Sequence, residues 1–157
     1  PKEKDPGKVI TVNRRAYHDY DILETVEAGL VLTGTEIKSV RTGGVDIRHA
    51  FARAEGGEVW LYNAHIAHYA QGNIYNHEPN RPRKLLLHKE QIGELAGTAA
   101  QKGLTIVPLR MYIRNHVAKV ELGLARGRKQ YDKRKVIARR DAELEMRRFT
   151  KERLTSR

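Results

Sequence analysis

The side chains that most often perform covalent catalysis are few in this sequence and poorly placed for it. There is no cysteine, and the only serines are Ser39 and Ser156. Ser39 lies in KSVR and lacks the flanking glycines of a nucleophile elbow, so a hydrolase triad is not indicated. The absence of cysteine also excludes disulfides, thiol catalysis and cysteine-bound metals.

The seven histidines are scattered and follow no known metal-binding spacing. They are His18, His49, His65, His68, His77, His88 and His116. On a strand, His65 and His68 would point to opposite faces and would make a poor ligand pair. No GxGxxG or Walker pattern is present either. We therefore expect no metal, no cofactor and no enzymatic activity; a nuclease that uses histidines and acids is the enzymatic alternative.

The groups that could bind RNA are clustered in the middle of the chain and at its end. Aromatic and basic residues occur together around one predicted hairpin and loop: Tyr62, Tyr69, Tyr75, Arg81, Arg83 and Lys84. Such combinations are typical of surfaces that bind single-stranded nucleic acid. For Trp60 we favour a core position over a stacking platform.

The C-terminal segment, residues 126–157, is strongly basic. It contains 13 Lys and Arg residues against five acidic ones, and so carries +8 of the total net charge of +11. No glycine or proline follows Gly127, which favours a helix, but the apolar residues form no single stripe. We predict a basic arm that is loose alone and becomes helical on a polyanion.

Overall composition narrows the class of partner. An isoelectric point near 10.0 favours nucleic acid, with an anionic membrane surface as the weaker alternative. No apolar run reaches the ~18 residues of a membrane span. The first residues, PKEKDPGK, do not resemble a secretory signal. The absence of cysteine fits a cytoplasmic protein, which is what we expect.

The hydrophobic pattern predicts a small, mostly antiparallel barrel of about six strands. We expect residues 1–12 to be disordered, residues 13–125 to form the barrel and residues 126–157 to form the tail. Predicted strands cover 19–26, 30–32, 45–54, 57–69, 104–113 and 117–125, with a break at 27–29. Three helices are predicted: one that begins after an Asn13 cap, one over residues 35–41 and one over residues 85–102. Residues 71–84 are predicted to be a loop.

Five ordered blocks cover much of residues 13–140. They are NRRAYHDY (Asn13–Tyr20), AGLVLTGTEIKSVR (Ala28–Arg41), RPRKLLLH (Arg81–His88), GLTIVPLRMYI (Gly103–Ile113) and LARGRKQYDKR (Leu124–Arg134). In order and spacing, these blocks resemble the bacterial family of SsrA-binding proteins, or small protein B.

The resemblance implies an OB-like barrel with flanking helices and a basic tail. It implies a monomer that binds the tRNA-like domain of transfer-messenger RNA and delivers it to stalled ribosomes for trans-translation. The tail would enter the decoding site and the empty mRNA channel of the small subunit and contact rRNA. No covalent chemistry and no membrane would be involved.

The resemblance also implies site residues. In the barrel, Glu27, Leu86 and Lys119 would contact the RNA. The basic residues Arg81, Arg83 and Lys84 of the cluster described above are expected to bind it as well. Lys119 can pair with a phosphate, Glu27 can accept hydrogen bonds, and Leu86 can touch an exposed base. The hydrophobic pattern alone favours the alternative that Leu86 is a core residue at the start of a helix. In the tail, the ribosome-binding residues would be Tyr131, Asp132, Lys133, Arg134, Arg139 and Arg140.

Composition alone leaves one further alternative open. In a permanent ribosomal protein or an RNA chaperone, the same tail would be a fixed anchor on rRNA. A permanent ribosomal protein would survive high-salt washing of ribosomes, whereas a rescue factor would not.

Overall fold

The structure is a computed structural model that describes residues 7–71, 76–128, 144 and 146. The chain divides into two compact units, residues 1–127 and 128–157, which we describe separately. In the first unit the described residues form these elements: β1 (Lys8–Val12), α1 (Arg14–Asp19), β2 (Tyr20–Leu30), α2 (Gly34–Arg41), β3 (Val45–Asp46), β4 (Phe51–Glu55), β5 (Glu58–Tyr62), β6 (His65–Ile66), β7 (Arg83–Leu86), α3 (Lys89–Lys102), β8 (Thr105–Arg114) and β9 (Val117–Gly127).

Seven of these strands form one antiparallel sheet that closes on itself. The strand order is β1-β8-β4-β5-β7-β2-β9, and an additional pairing of β8 with β9 completes a ring. Six of the seven strands form the ring, which leaves those strands few free edges, whereas β1 pairs with β8 and lies outside the ring. The architecture confirms the prediction of a mostly β, OB-like barrel with flanking helices.

Side chains that alternate along each strand fill the barrel. On β9, for example, Ala118, Val120 and Leu122 are buried, each at 2% exposure or less. Val40 of α2 and Leu95 of α3 belong to the same apolar cluster. Burial of these faces is the main stabilising contribution, and it fixes which residues of each strand remain outside.

Helix α1 covers part of the outer surface of the barrel. Its Ala16 packs with Val107, Leu109 and Ala125 in a second apolar cluster. The predicted Asn13 cap is confirmed, because its side chain accepts from the Ala16 N–H at 3.2 Å. The Asn13 amide nitrogen also donates to the carbonyls of Ile47 (3.1 Å) and Pro108 (2.9 Å), which fastens the helix start to the barrel.

The two hairpin turns have the backbone that short antiparallel connections require. Gly56 and Gly57 have φ angles of 59° and 77°, and Asn115 and His116 have φ angles of 51° and 64°. Positive φ at both central residues is the signature of a type I′ turn. The predicted hairpin between β4 and β5 is therefore confirmed, and a turn of the same kind joins β8 to β9.

Two predictions about the N-terminal half are wrong. Residues 8–12 form β1, which pairs with β8, although the sequence predicted disorder there. The predicted break at 27–29 is absent, because β2 runs unbroken and Gly29 pairs with a neighbouring strand on each side. The register of β2 shifts instead between Ile22 and Glu24.

Two further element boundaries differ from the prediction. Residues 45–54 are not one strand: the Asp46 carboxylate accepts from the Arg48 N–H at 2.9 Å and turns the chain between β3 and β4. The helix predicted over 85–102 begins only at Lys89, since residues 83–86 form β7. Leu86 is therefore a strand residue.

Candidate nucleic-acid interface

A row of four residues crosses four adjacent strands on the outside of the barrel. Leu86 of β7 pairs with Gly29 of β2, Gly29 pairs with Lys119 of β9, and Lys119 pairs with Tyr112 of β8. Residues that pair directly across strands share a face of the sheet. We call this set, together with Glu27 two residues before Gly29, the outer row.

Burial of the neighbouring residues shows that the outer row faces away from the core. Ala28 and Leu30 flank Gly29 and are exposed by 1% and 5%, while Leu85, beside Leu86, is exposed by 0%. Ala118 and Val120 flank Lys119 and are equally buried. Because strand side chains alternate, the residues between these core positions must point outward.

Gly29 leaves room for Leu86 to lie beside β2. A Cβ atom added at Gly29 would meet the Leu86 Cβ at 3.3 Å and its Cδ1 at 3.6 Å. Leu86 is 52% exposed. The absence of a side chain at position 29 thus leaves room for an exposed leucine on the same face of the sheet as Lys119.

Glu27 is held as a carboxylate by its neighbours. Partial burial acts to raise its pKa, but the nearby Tyr112 hydroxyl, the ion pair with Arg114 and the Lys119 charge together lower the pKa below 4.5. Burial and the Glu27 charge in turn raise the pKa of Tyr112 to about 12. At neutral pH the site therefore contains an ionised acceptor between two cations.

Tyr112 is covered although it faces outward. The Arg110 guanidinium lies over its ring at 5.5 Å, and Arg110 is itself paired with Glu121 at 2.6 Å. Tyr112 is consequently only 5% exposed. Its ring is not available for stacking, and its hydroxyl lies close enough to the Glu27 carboxylate to affect the pKa of that group.

The outer row borders an open depression of about 550 Å³. Its walls come from β2, β7, β8, β9 and the start of α3: Glu27, Gly29, Leu86, Leu87, His88, Gln91, Arg114, Val117 and Lys119. It offers an ammonium group for phosphate, a carboxylate that accepts from base amino or 2′-hydroxyl groups, and an exposed apolar side chain. Those are the contacts by which folded RNA is recognised.

The three positions implied by the resemblance are brought together here. Glu27, Leu86 and Lys119 come from three strands and line one depression. Sequence reasoning missed Arg114 and Tyr112, which hold Glu27. The turn at Asn115 and His116 was a usable signal, because it fixes the register that pairs Tyr112 with Lys119.

Arg83 corrects the prediction for the basic cluster. Its side chain is fully buried and donates to the Glu36 carboxylate and to the carbonyls of Ala64 (2.7 Å) and Pro79 (2.9 Å). Arg81 also donates to Glu36. Burial leaves Arg83 no surface through which to contact RNA, so its place in this fold is structural.

Lys84 lies on the outside of β7 and pairs with Glu58 at 3.4 Å. Of the tyrosines predicted beside it, Tyr62 and Tyr69 are partly exposed, and Tyr75 lies outside the described residues. Trp60 is also partly exposed and belongs to the outer face, which corrects its predicted core position.

The tail residues predicted to bind the ribosome all lie outside the described residues: Tyr131, Asp132, Lys133, Arg134, Arg139 and Arg140. Leu144 and Met146 are helical and exposed by 50% and 71%. Among the residues that the structure describes, no group of three or more His, Asp or Glu side chains could hold a metal ion. Within the same ranges, no helix has the length and apolar character to cross a membrane.

Comparison with known proteins gives one family. The family model described as SmpB protein matches residues 10–152. The SsrA-binding protein of Shouchella clausii is 59% identical over 152 residues, covering 97% of each chain. The SsrA-binding protein of Carboxydothermus hydrogenoformans is 59% identical over 139 residues, covering 88% of this chain and 93% of its own.

A solved structure gives the same result. A chain of the structure described as "tmRNA-SmpB: a journey to the center of the bacterial ribosome" superposes with a TM-score of 0.66 at 55% identity. The match covers 78% of this chain and 86% of that chain.

Proposed function

The chain belongs to the SmpB protein family, and from that premise we propose that it binds the tRNA-like domain of transfer-messenger RNA and delivers this RNA to stalled ribosomes for trans-translation. The observation that carries the proposal is the convergence of Glu27, Leu86 and Lys119 on one outer face, in a chain 55% identical to one from a tmRNA–SmpB structure. We infer that the protein acts by binding, in the cytoplasm, as a monomer and without covalent chemistry.

In this proposal each group of the outer row makes a different contact. The Lys119 ammonium pairs with a backbone phosphate and contributes most of the salt dependence. Glu27 accepts a hydrogen bond from a base amino group or a 2′-hydroxyl, which distinguishes RNA from DNA. Leu86 covers the face of an exposed base. Gly29 allows these groups to contact one nucleotide step without an intervening side chain.

Arg114 and Tyr112 are positioning residues in this scheme. Their hydrogen bonds lower the pKa of Glu27 and fix the direction of its carboxylate. An acceptor that is already ionised and oriented loses less conformational entropy when RNA binds. Arg114 also offers a second cation beside the same depression.

For the tail we propose a separate role on the ribosome. Tyr131 would stack on an rRNA base at the decoding centre, beside Asp132, while Lys133 and Arg134 would bind backbone. Arg139 and Arg140 would follow rRNA phosphates along the empty mRNA channel. The net charge of +8 in residues 126–157 supports a role for the tail on rRNA, because a strongly basic segment is attracted to a long polyanion.

The test is equilibrium binding of the isolated tRNA-like domain to the full-length chain and to two variants. We expect Glu27→Ala and Lys119→Ala each to weaken binding by about tenfold, corresponding to roughly 1.4 kcal/mol. Matched controls are Glu94→Ala and Lys102→Ala, which remove exposed charges of α3. Equal affinities for site and control variants would refute the proposal.

A further inference from the structure

A second aromatic and basic row lies on the outside of the barrel, beside the first. Trp60 of β5 pairs with Arg53 of β4 on one side and with Lys84 of β7 on the other. Val59 and Leu61, which flank Trp60, are both exposed by 0%. Strand alternation therefore directs Trp60 outward, where it is partly exposed.

The residues around Trp60 are already paired, but Trp60 is not covered as Tyr112 is. The rings of Phe51 and Tyr62 stack with centroids 5.4 Å apart, and the Arg53 guanidinium lies over both rings at 5.7 and 5.9 Å. This arrangement directs Arg53 toward the Phe51–Tyr62 pair. The stacked Phe51 and Tyr62 rings therefore lie beside Trp60 on the same outer face.

The charges of this second row are balanced. Arg53 lies 3.6 Å from Glu55, and Lys84 lies 3.4 Å from Glu58. Two cations are thus offset by two carboxylates at the hairpin end of β4 and β5. A patch without net charge has little attraction for phosphates, so its contact with RNA would be through a base face.

The second row is continuous with the outer row. Lys84 and Leu86 lie two residues apart on the same face of β7, separated by about 7 Å along the strand. Leu85 between them is exposed by 0%, as the alternation requires. An RNA strand in contact with Leu86 therefore reaches Trp60 within about one or two nucleotide steps.

We propose that Trp60 is a base-stacking residue, on which an unpaired base of the RNA bound at the outer row stacks. This inference rests on the proposed function and extends the interface from β7 onto β5. Stacking on an aromatic side chain tolerates any base, so Trp60 adds affinity at a single-stranded or looped nucleotide and little sequence preference.

The experiment uses the fluorescence of the full-length chain, in which Trp60 is the only tryptophan. The probe is the isolated tRNA-like domain, titrated into wild type and into Trp60→Leu and Trp60→Phe. We expect quenching of Trp60 that saturates with binding. We expect Trp60→Leu, which keeps apolar contact but cannot stack, to bind about 5- to 150-fold more weakly. Trp60→Phe should recover part of the affinity.

The salt dependence provides the second readout. Because the row has no net charge, Trp60→Leu should lower affinity equally at each salt concentration and leave the slope of log K against log salt unchanged. Circular dichroism and urea unfolding of both variants establish that they are folded.

The two proposals fail in different ways. Tight RNA binding with unchanged Trp60 fluorescence and full affinity of Trp60→Leu would overturn the stacking role and leave the proposed function standing. Equal binding by wild type and Lys119→Ala would refute the proposed function, and the extension with it.

Discussion

Replacement of Arg83 by alanine should lower the unfolding free energy of the barrel strongly, whereas replacement of the adjacent Lys84 should change it little. The Arg83 side chain is 0% exposed and donates to the Glu36 carboxylate and to three backbone carbonyls. Lys84, the next residue on β7, has a side chain that is 38% exposed and pairs with Glu58 at the surface. Arg83 therefore has a structural role, and Lys84 lies at the surface.

The structure sets the size of the effect. Removal of one partner from a buried ion pair costs about 3–5 kcal/mol, because the remaining charge stays buried. Arg81 still pairs with Glu36, which moderates the loss, while the Ala64 carbonyl loses the hydrogen bond that it accepts from Arg83, which adds to it. With a urea slope of about 1.5 kcal/mol/M, a loss of 3–5 kcal/mol lowers the midpoint by about 2–3 M. For the exposed pair of Lys84 the expected cost is about 0–1 kcal/mol.

Urea unfolding followed by circular dichroism measures both values, and RNA binding is measured on the folded fraction. The expected pattern is a large midpoint shift for Arg83→Ala, a small one for Lys84→Ala, and normal RNA affinity for whatever Arg83→Ala remains folded. An Arg83→Ala protein that is as stable as wild type but has lost RNA binding would refute the assignment and restore Arg83 to the interface.

Three other predictions follow from the same geometry. Leu86→Ala should change the unfolding free energy by less than about 1 kcal/mol, since Leu86 is 52% exposed, yet weaken RNA binding in a titration; the reverse pattern would contradict the site. Gly29→Ala should weaken the same binding by displacing Leu86, with the far-UV spectrum unchanged; unaltered affinity would show that the Leu86 position is not critical. Burial of Glu36 acts to raise its pKa. Hydrogen bonds from Arg81, Thr33 and Arg83 outweigh this effect and lower the pKa of Glu36 from 4.5 to about 2. Its contribution is therefore complete above pH 4.5 and is lost as the pH falls toward 2, so urea midpoints should drop over that interval in wild type and less in Glu36→Gln.

The sequence was sufficient where local chemistry decides the structure. Asn13, as a helix-capping residue before RRAYHDY, predicted the start of α1, and Gly56-Gly57 predicted a hairpin, because caps and type I′ turns depend on a few neighbouring residues. The mostly β barrel also followed from alternating strands that flank a helical pattern near the middle of the chain.

The failures occurred where long-range pairing decides the structure. Gly29 looks like a strand break in isolation, but pairing on both edges keeps β2 extended. Leu85 and Leu86 fit a helix start as well as a short strand, since a brief apolar run does not distinguish the two. Only the pairing of β7 with β2 and β5 resolves the choice.

The site was only partly predictable for the same reason. The family resemblance supplied Glu27, Leu86 and Lys119, which the fold brings together. Composition could not distinguish Arg83 from Lys84, because the alternation of β7 turns one inward and the other outward. Trp60 was misassigned because a tryptophan is usually buried, whereas here its strand register places it between two cations.

The central claim is that the barrel recognises the tRNA-like domain and that the tail acts on the ribosome. A salt titration of binding to the isolated tRNA-like domain, with full-length protein beside a chain truncated after Gly127, tests it most directly. We predict matching affinities at moderate salt and similar slopes, because Lys119 and the outer row remain in residues 1–127. A large loss of affinity with a much shallower slope for the truncated chain would show instead that the tail makes the phosphate contacts, and would contradict the account.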